Sequence, residues 1–147
     1  SDLLTLCGVP GTSKKRILET IAERVAQFYP ELEENQIFNN LVARERLGST
    51  GIGQGIAIPH CRLEDCKRVV GALLTLSEPI SFDAIDNEPV DLLFVLLVPQ
   101  NATSEHLELL SQLAEKFNDR SLCKKLRQCE DSDELYNLIV SSEQQSQ

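Results

Sequence analysis

The chain has 147 residues, of which 41% are hydrophobic and 25% charged, enough for one domain with its own core. Its 14 Lys and Arg against 23 Asp and Glu leave a formal charge of −9, which argues against a nucleic-acid binder with a basic face and suits a partner that presents a basic patch. The longest apolar run, Leu92 to Val98, is far short of the roughly 18 residues a membrane span needs, and no basic segment leading into an apolar stretch opens the chain, so neither membrane insertion nor a signal peptide is expected.

Residues 1–12 contain Gly8, Pro10 and Gly11 and read as irregular. Thr12 or Ser13 then offers an N-cap, and Ile17, Leu18, Ile21, Val25 and Phe28 recur at helical spacing up to Pro30. A second helix is predicted from about Glu33 to Leu47. Glu33 and Glu34 suit its first turn, Ile37, Phe38, Leu41 and Val42 its apolar face, and Gly48 its C-terminal stop.

Four of the seven glycines follow within Gly48-Ser-Thr-Gly-Ile-Gly-Gln-Gly-Ile-Ala-Ile-Pro59, which ends on His60. Glycine lets backbone approach a bulky anion, and proline holds its predecessor extended. The expectation is a glycine-rich loop, Gly48, Ser49, Thr50, Gly51, Gly53 and Gly55, feeding a short extended segment with one imidazole aimed out of its end. Such clusters also serve as tight turns. The stretch is not a Walker A loop, and it lacks the spacing of a dinucleotide fingerprint.

Strand signals come next: Ile56–Ile58, Val69–Leu76, Ile80–Phe82 and Leu92–Val98. The last is apolar without alternation, so both of its faces should be covered. Thr103 or Ser104 caps a third helix with Leu107, Leu110, Leu113, Ala114 and Phe117 on its apolar face. A short helical piece near Ser121–Arg127 follows. A last helix opens at Asp131–Glu134 and carries Leu135, Leu138 and Ile139, and the polar residues 141–147 read as a frayed tail. Helices before, between and after the strands predict an α/β chain, a single three-layer α/β/α domain with a central mixed sheet flanked by helices and a core spanning about residues 13–140.

The two histidines, His60 and His106, each lie beside an anion-binding feature. His106 falls near the third position of the third helix, where free N–H groups favour a phosphate and disfavour a protonated imidazole. A neutral ring is what a nucleophile needs. An exposed helix residue is the plainer role for it. Arg44 and Arg46 both lie one turn or less from the glycine run, and either could hold a phosphoryl group in a fork. A solvated Arg44 paired with Glu45 or Asp119 is the plainer alternative. The five cysteines, Cys7, Cys61, Cys66, Cys123 and Cys129, are odd in number and form no CxxC. Reduced thiols in a cytoplasmic protein are therefore expected. A metal or thiol hydrolase using His60, Cys61 and Cys66 has poor spacing for zinc, and no metal site is expected.

The run Arg44-Glu-Arg-Leu-Gly-Ser-Thr-Gly-Ile-Gly-Gln-Gly-Ile-Ala-Ile-Pro-His60 resembles the signature of the EIIA domains of the bacterial phosphoenolpyruvate-dependent phosphotransferase system. The type is the mannitol/fructose class, nearest its nitrogen-regulatory branch. Pro79–Asn87, Pro89–Phe94, Val98–Gln100 and His106–Ala114 agree, so the resemblance covers about residues 13–140. It implies that His60 is the phosphorylated residue, that His106 assists it and that Arg44 rather than Arg46 binds the phosphate. It also implies an HPr-like carrier as phosphoryl donor, no cofactor, and a phosphocarrier that acts as a regulator through unknown protein targets. The alternative implied role is a sugar-specific EIIA that passes its phosphate to a membrane permease. Cys61 stands where such chains often carry a small residue, which could alter the rim of the site or make it oxidation-sensitive.

Overall fold

The computed structural model describes residues 3–101 and 104–145, apart from the side chains of residues 104–107, 110, 113 and 143–145. In chain order the elements are β1 (Leu3–Val9), α1 (Lys14–Phe28), α2 (Glu34–Leu47), β2 (Gly51–Gly53), β3 (Ile56–Ala57), β4 (His60–Leu63), β5 (Val70–Ile80), β6 (Val90–Pro99), α3 (Ser104–Lys116), α4 (Arg120–Arg127) and α5 (Ser132–Gln145). The strands form one mixed sheet in the order β1-β5-β6-β3-β2, with β4 also on β6. β5 and β6 are antiparallel, while β1 lies parallel to β5, and β3 and β4 lie parallel to β6.

The unbroken apolar run in β6 is explained by what lies on either side. Leu93, Val95 and Leu97 pack with Ile17, Leu18, Ile21, Ile37 and Leu41 of α1 and α2. Leu92, Phe94 and Leu96 pack with Phe117, Leu122, Leu126, Leu135 and Ile139 on the other face. Successive strand residues point to opposite faces, so a strand covered twice shows no polar alternation. This is the expected three-layer arrangement.

Several local expectations are corrected. Residues 3–9 are a strand, not irregular chain, and Leu4, Leu6 and Val9 enter the core ahead of residue 13. The strand is paired by β5, more than 60 residues away, with a register shift around Gly8. Local propensity carries no trace of such a partner. The signals at Val69–Leu76 and Ile80–Phe82 join as β5, which runs on to Ile80. The ladder shifts register between Thr75 and Ile80, so Pro79 removes no donor that the ladder uses. Phe28 is 59% exposed, because burial on α1 ends at Val25. The tail is helical through Gln145. Once Leu135 and Ile139 are docked, propagation costs less than nucleation and the polar residues continue the ladder. Of the residues assigned to the apolar face of α3, Ala114 and Phe117 pack on the second cluster, while the side chains of Leu107, Leu110 and Leu113 lie outside the described residues.

The caps follow the chemistry of their residues. Ser13 accepts from the Arg16 N–H at the start of α1, Glu33 from Gln36 at the start of α2, and Asp119 from Ser121 and Leu122 at the start of α4. The cap expected at Thr103 or Ser104 rests on side chains outside the described residues.

The glycine run is a β-hairpin. β2 pairs antiparallel with β3, and the two-residue turn between them is Gln54-Gly55, both at positive φ (59° and 79°). That is the turn type whose twist matches paired strands. Gly51 is required for a different reason: a Cβ there would stand 2.7 Å from the Ala84 Cβ. Gly51→Ala is expected to destabilise the fold by about 1–3 kcal/mol through overpacking. Urea denaturation of the variant measures it, and an unchanged midpoint contradicts it.

Candidate functional site

β3 and β4 run one after the other along the same edge of β6. Ile56 and Ala57 lie opposite Leu92 and Leu93, and His60 to Leu63 lie opposite Leu96 to Pro99. Ile58-Pro59 interrupts them. The Ile58 N–H donates to the Thr50 carbonyl at 2.9 Å, and the Pro59 carbonyl accepts from Leu96 at 3.0 Å. Pro59 has no N–H to offer. The Ile58 carbonyl turns to the His60 ring instead, with Nδ1 at 2.7 Å. His60 is thus the first residue of a strand that continues to Leu63, not the end of an extended segment as expected.

That contact assigns the tautomer. A carbonyl oxygen can only accept, so Nδ1 carries the proton and Nε2 keeps its lone pair. Nε2 accepts from Nε of Arg44 at 3.3 Å. The same guanidinium donates from Nη1 to the Gly48 carbonyl at 2.9 Å, which ties the arginine to the end of its own helix. The ring is half-buried, neither sealed in the core nor freely solvated.

Burial is the main force holding the His60 ring below the ordinary histidine value of 6.5. The Arg44 charge adds to it, while the bond to Ile58 and the carboxylate of Glu45 oppose it. The ring is therefore neutral at neutral pH. The folded-state value lies below the unfolded one, so this group's contribution to stability is full above 6.5 and is lost as pH falls through the folded value. An NMR titration of the imidazole protons should give a midpoint under 6.5, and a midpoint above it would contradict this description of the site.

Of the candidate residues, His60 and Arg44 are brought together. Arg46, two residues on, is exposed. Arg44 does not pair with Glu45, which is bound to Lys14 at 2.9 Å, nor with Asp119, which caps α4. His106 is the third residue of α3, and its side chain lies outside the described residues. By strand alternation His60 points to the face of the sheet that carries α3, since Cys61 and Leu63 join the α1–α2 cluster on the other face.

The glycine-rich cradle is corrected in part. Gly53 and Gly55 bound the hairpin turn, where Gly55 accepts from Asp91 and Leu92 and lies against Arg127. His60 lies opposite Leu96, four to five residues further along β6, or roughly 15 Å at ~3.3 Å per residue. These two glycines serve the turn and stand too far away to hold a group on His60. Gly51 pairs with Ala57 and packs on Ala84. Gly48, Ser49 and Thr50 adjoin the site, but Ser49 Oγ already donates to the Phe82 carbonyl at 2.7 Å. Cys61 is also corrected. It is buried under the α1–α2 layer instead of lining the rim, and its thiol is pushed up to about 12 by burial and by Cys66. A thiol so rarely ionised is a poor target for oxidation. Among the described residues no three His, Cys, Asp or Glu side chains are grouped to hold a metal, and no helix is long and apolar enough to cross a membrane.

The sequence reading missed Glu45. Its carboxylate is buried and receives the Lys14 ammonium, the Thr50 N–H at 3.2 Å and the Thr50 hydroxyl. The signal was present, because Glu45 continues the i, i+4 series of Ile37 and Leu41, the buried stripe of α2.

This neutral, tautomer-fixed imidazole with an arginine at its free nitrogen agrees with a profile match over residues 2–142 to the phosphoenolpyruvate-dependent sugar phosphotransferase system, EIIA 2. The chain belongs to that EIIA family. A nitrogen regulatory protein of Pseudomonas aeruginosa is 54% identical over 136 residues, covering 92% of this chain and 88% of the relative. A nitrogen regulatory protein of Escherichia coli K12 is 49% identical over 132 residues, covering 89% and 80%. The crystal structure of nitrogen regulatory protein IIA-Ntr from Neisseria meningitidis matches with a TM-score of 0.84 at 42% identity, covering 93% of this chain and 95% of that one. Sequence and fold therefore place the chain with the nitrogen-regulatory EIIA proteins.

Proposed function

We propose that this EIIA domain is a phosphocarrier that accepts a phosphoryl group on Nε2 of His60 from a histidine-phosphorylated HPr-like protein, and that it acts in the cytoplasm as a phosphorylation-dependent regulator. The observation that carries this reading is the pair of bonds on one ring, Nδ1 to Ile58 and Nε2 to Arg44. They leave a single nucleophilic nitrogen, with a cation beside it.

In the transfer, the Nε2 lone pair forms the new N–P bond while the donor's N–P bond breaks, its electron pair returning to the donor imidazole. The phosphorylated ring keeps its Nδ1 proton and so becomes cationic, and the Ile58 carbonyl stabilises that charge. Phosphoryl transfer has a loose transition state, so positioning and charge do most of the work. Arg44, relieved of Nε2, moves its N–H groups to the equatorial oxygens, and His106 is assigned the second set of contacts. The backbone from Gly48 to Thr50 borders the group. No metal is called for in this scheme, since the arginine and the N–H groups carry the charge. The added negative charge and acceptor oxygens then make or block docking with regulated partners.

The test is incubation with phosphoenolpyruvate, the first enzyme of the phosphotransferase system and an HPr-like carrier. The expected product is one acid-labile, alkali-stable phosphate, placed on Nε2 by phosphorus–nitrogen NMR. Phosphate on a serine or a cysteine, or none at all, overturns the proposal. Onward transfer to a sugar permease would favour the sugar-specific role.

A further inference from the structure

The bonds around His60 continue inward to a charged group that takes no direct part in the transfer. His60 Nδ1 donates to Ile58 O at 2.7 Å, Ile58 N donates to Thr50 O at 2.9 Å, Thr50 N donates to Glu45 Oε2 at 3.2 Å, and Lys14 Nζ meets the same oxygen at 2.9 Å. Thr50 Oγ1 donates to the other carboxylate oxygen. The Glu45 side chain is only 5% exposed, whereas that of Lys14 is 21% exposed. Lys14 also lies 4.6 Å above the Phe82 ring, donates to the Phe82 carbonyl at 3.4 Å and stands 3.9 Å from Asp83. Glu45 is the residue next to Arg44, so the carboxylate and the guanidinium bracket the end of α2 beside the acceptor ring.

We propose that Glu45, held by Lys14, is a positioning residue for His60: it fixes the tautomer through Thr50 and Ile58, and its charge sets how firmly the phosphoryl group is retained. This deepens the reading that His60 is the phosphoryl acceptor and rests on it. A carboxylate this deeply buried needs its partners. Two of them come from Thr50, which leaves Thr50 no freedom to turn its carbonyl away from Ile58. If that link loosens, the Ile58 carbonyl is no longer held toward Nδ1, the ring can invert its protonation, and Nε2 loses its lone pair. The charge acts separately. Among the described residues, the charged groups whose fields reach His60 are Arg44 and Glu45, both on α2, and Glu45 itself faces Lys14 from α1, with Asp83 beyond. A doubly negative phosphoryl group is attracted by Arg44 and repelled by Glu45, with Lys14 offsetting that repulsion. A carrier must release its cargo as well as take it, and a buried carboxylate near the group favours release.

Four variants separate the two roles. Glu45→Gln keeps an acceptor for the Thr50 hydroxyl and removes the charge. It should shift the exchange equilibrium with the HPr-like donor about tenfold toward the phosphorylated protein. Lys14→Met leaves the carboxylate unopposed and should shift it the other way, and Lys14→Arg should restore the wild-type equilibrium. Thr50→Val removes the hydroxyl's bond to Glu45, one of the two that hold Thr50 to the carboxylate, and no charge. Nitrogen NMR of its unphosphorylated His60 ring should show a larger share of the Nε2–H tautomer. Equal equilibria in Glu45→Gln and Lys14→Met, or shifts in the same direction, overturn the charge role. An unchanged tautomer in Thr50→Val overturns the positioning role. Should one charge variant fail to fold, the other still decides the charge role by the direction of its own shift from wild type, and Thr50→Val decides the positioning role. The tautomer is read without any phosphate, so it tests the positioning even if His60 proves not to be the acceptor.

Discussion

His60→Ala is expected to abolish incorporation of acid-labile phosphate from the HPr-like donor while the fold is retained. The loss should be complete, because His60 is the ring whose free nitrogen Arg44 faces, and the neighbouring thiol faces the other side of the sheet with its pKa pushed up to about 12. The fold should survive because the ring is half-buried and, among the described residues, bonds only to Arg44 and to one carbonyl. Its strand pairing with β6 is through backbone, which alanine keeps. The alanine variant also lacks a group that resists protonation, so its stability should fall less steeply between neutral and mildly acid pH than that of the wild type. The checks are radiolabel incorporation and paired urea melts. Label that survives the substitution would move the acceptor elsewhere, with His106 the first alternative.

Arg44→Ala should slow phosphorylation of His60 by roughly 10²–10³-fold, the usual cost of losing a preorganised donor to a developing oxyanion. Stability should fall by about 1 kcal/mol, since the Gly48 carbonyl loses its partner at a position open to water. The His60 ring should titrate at a higher pH than in the wild type, because the cation that opposes its protonation is gone. Arg44→Lys should recover only part of the rate, an ammonium being unable to bond Gly48 and the phosphoryl oxygens with one planar group. Arg46→Ala is the control: its side chain is exposed, and its rate should match the wild type. Quenched single-turnover kinetics measure all three. An unaffected Arg44→Ala, or an equal loss in Arg46→Ala, would reassign the phosphate-binding role.

The features legible from the chain were those with a local cause. The helical spacing of Ile17, Leu18, Ile21 and Val25 and the cap at Ser13 arise within a few residues of each other. The apolar run of β6 announced a strand covered on both faces. Legibility failed where the partner is remote. β1 is a strand because β5 lies beside it, and the hairpin at Gln54-Gly55 is recognisable only once β6 has received β3. The glycines suggested an anion cradle since close approach and tight turning demand the same residue, and composition cannot tell these uses apart.

The family resemblance, and through it the proposed acceptor histidine and its arginine, were legible in one continuous segment, Arg44 to His60, whereas spacing alone left Arg44 and Arg46 open. Which nitrogen of His60 is free, which glycines turn a hairpin instead of bordering the site, and the burial of Glu45 under Lys14 were decided by tertiary structure alone. The physical reason is range. Capping and helical periodicity act over three or four residues, whereas a ring's tautomer and a carboxylate's partner depend on groups that only the packing of α1, α2 and the sheet brings within hydrogen-bonding distance.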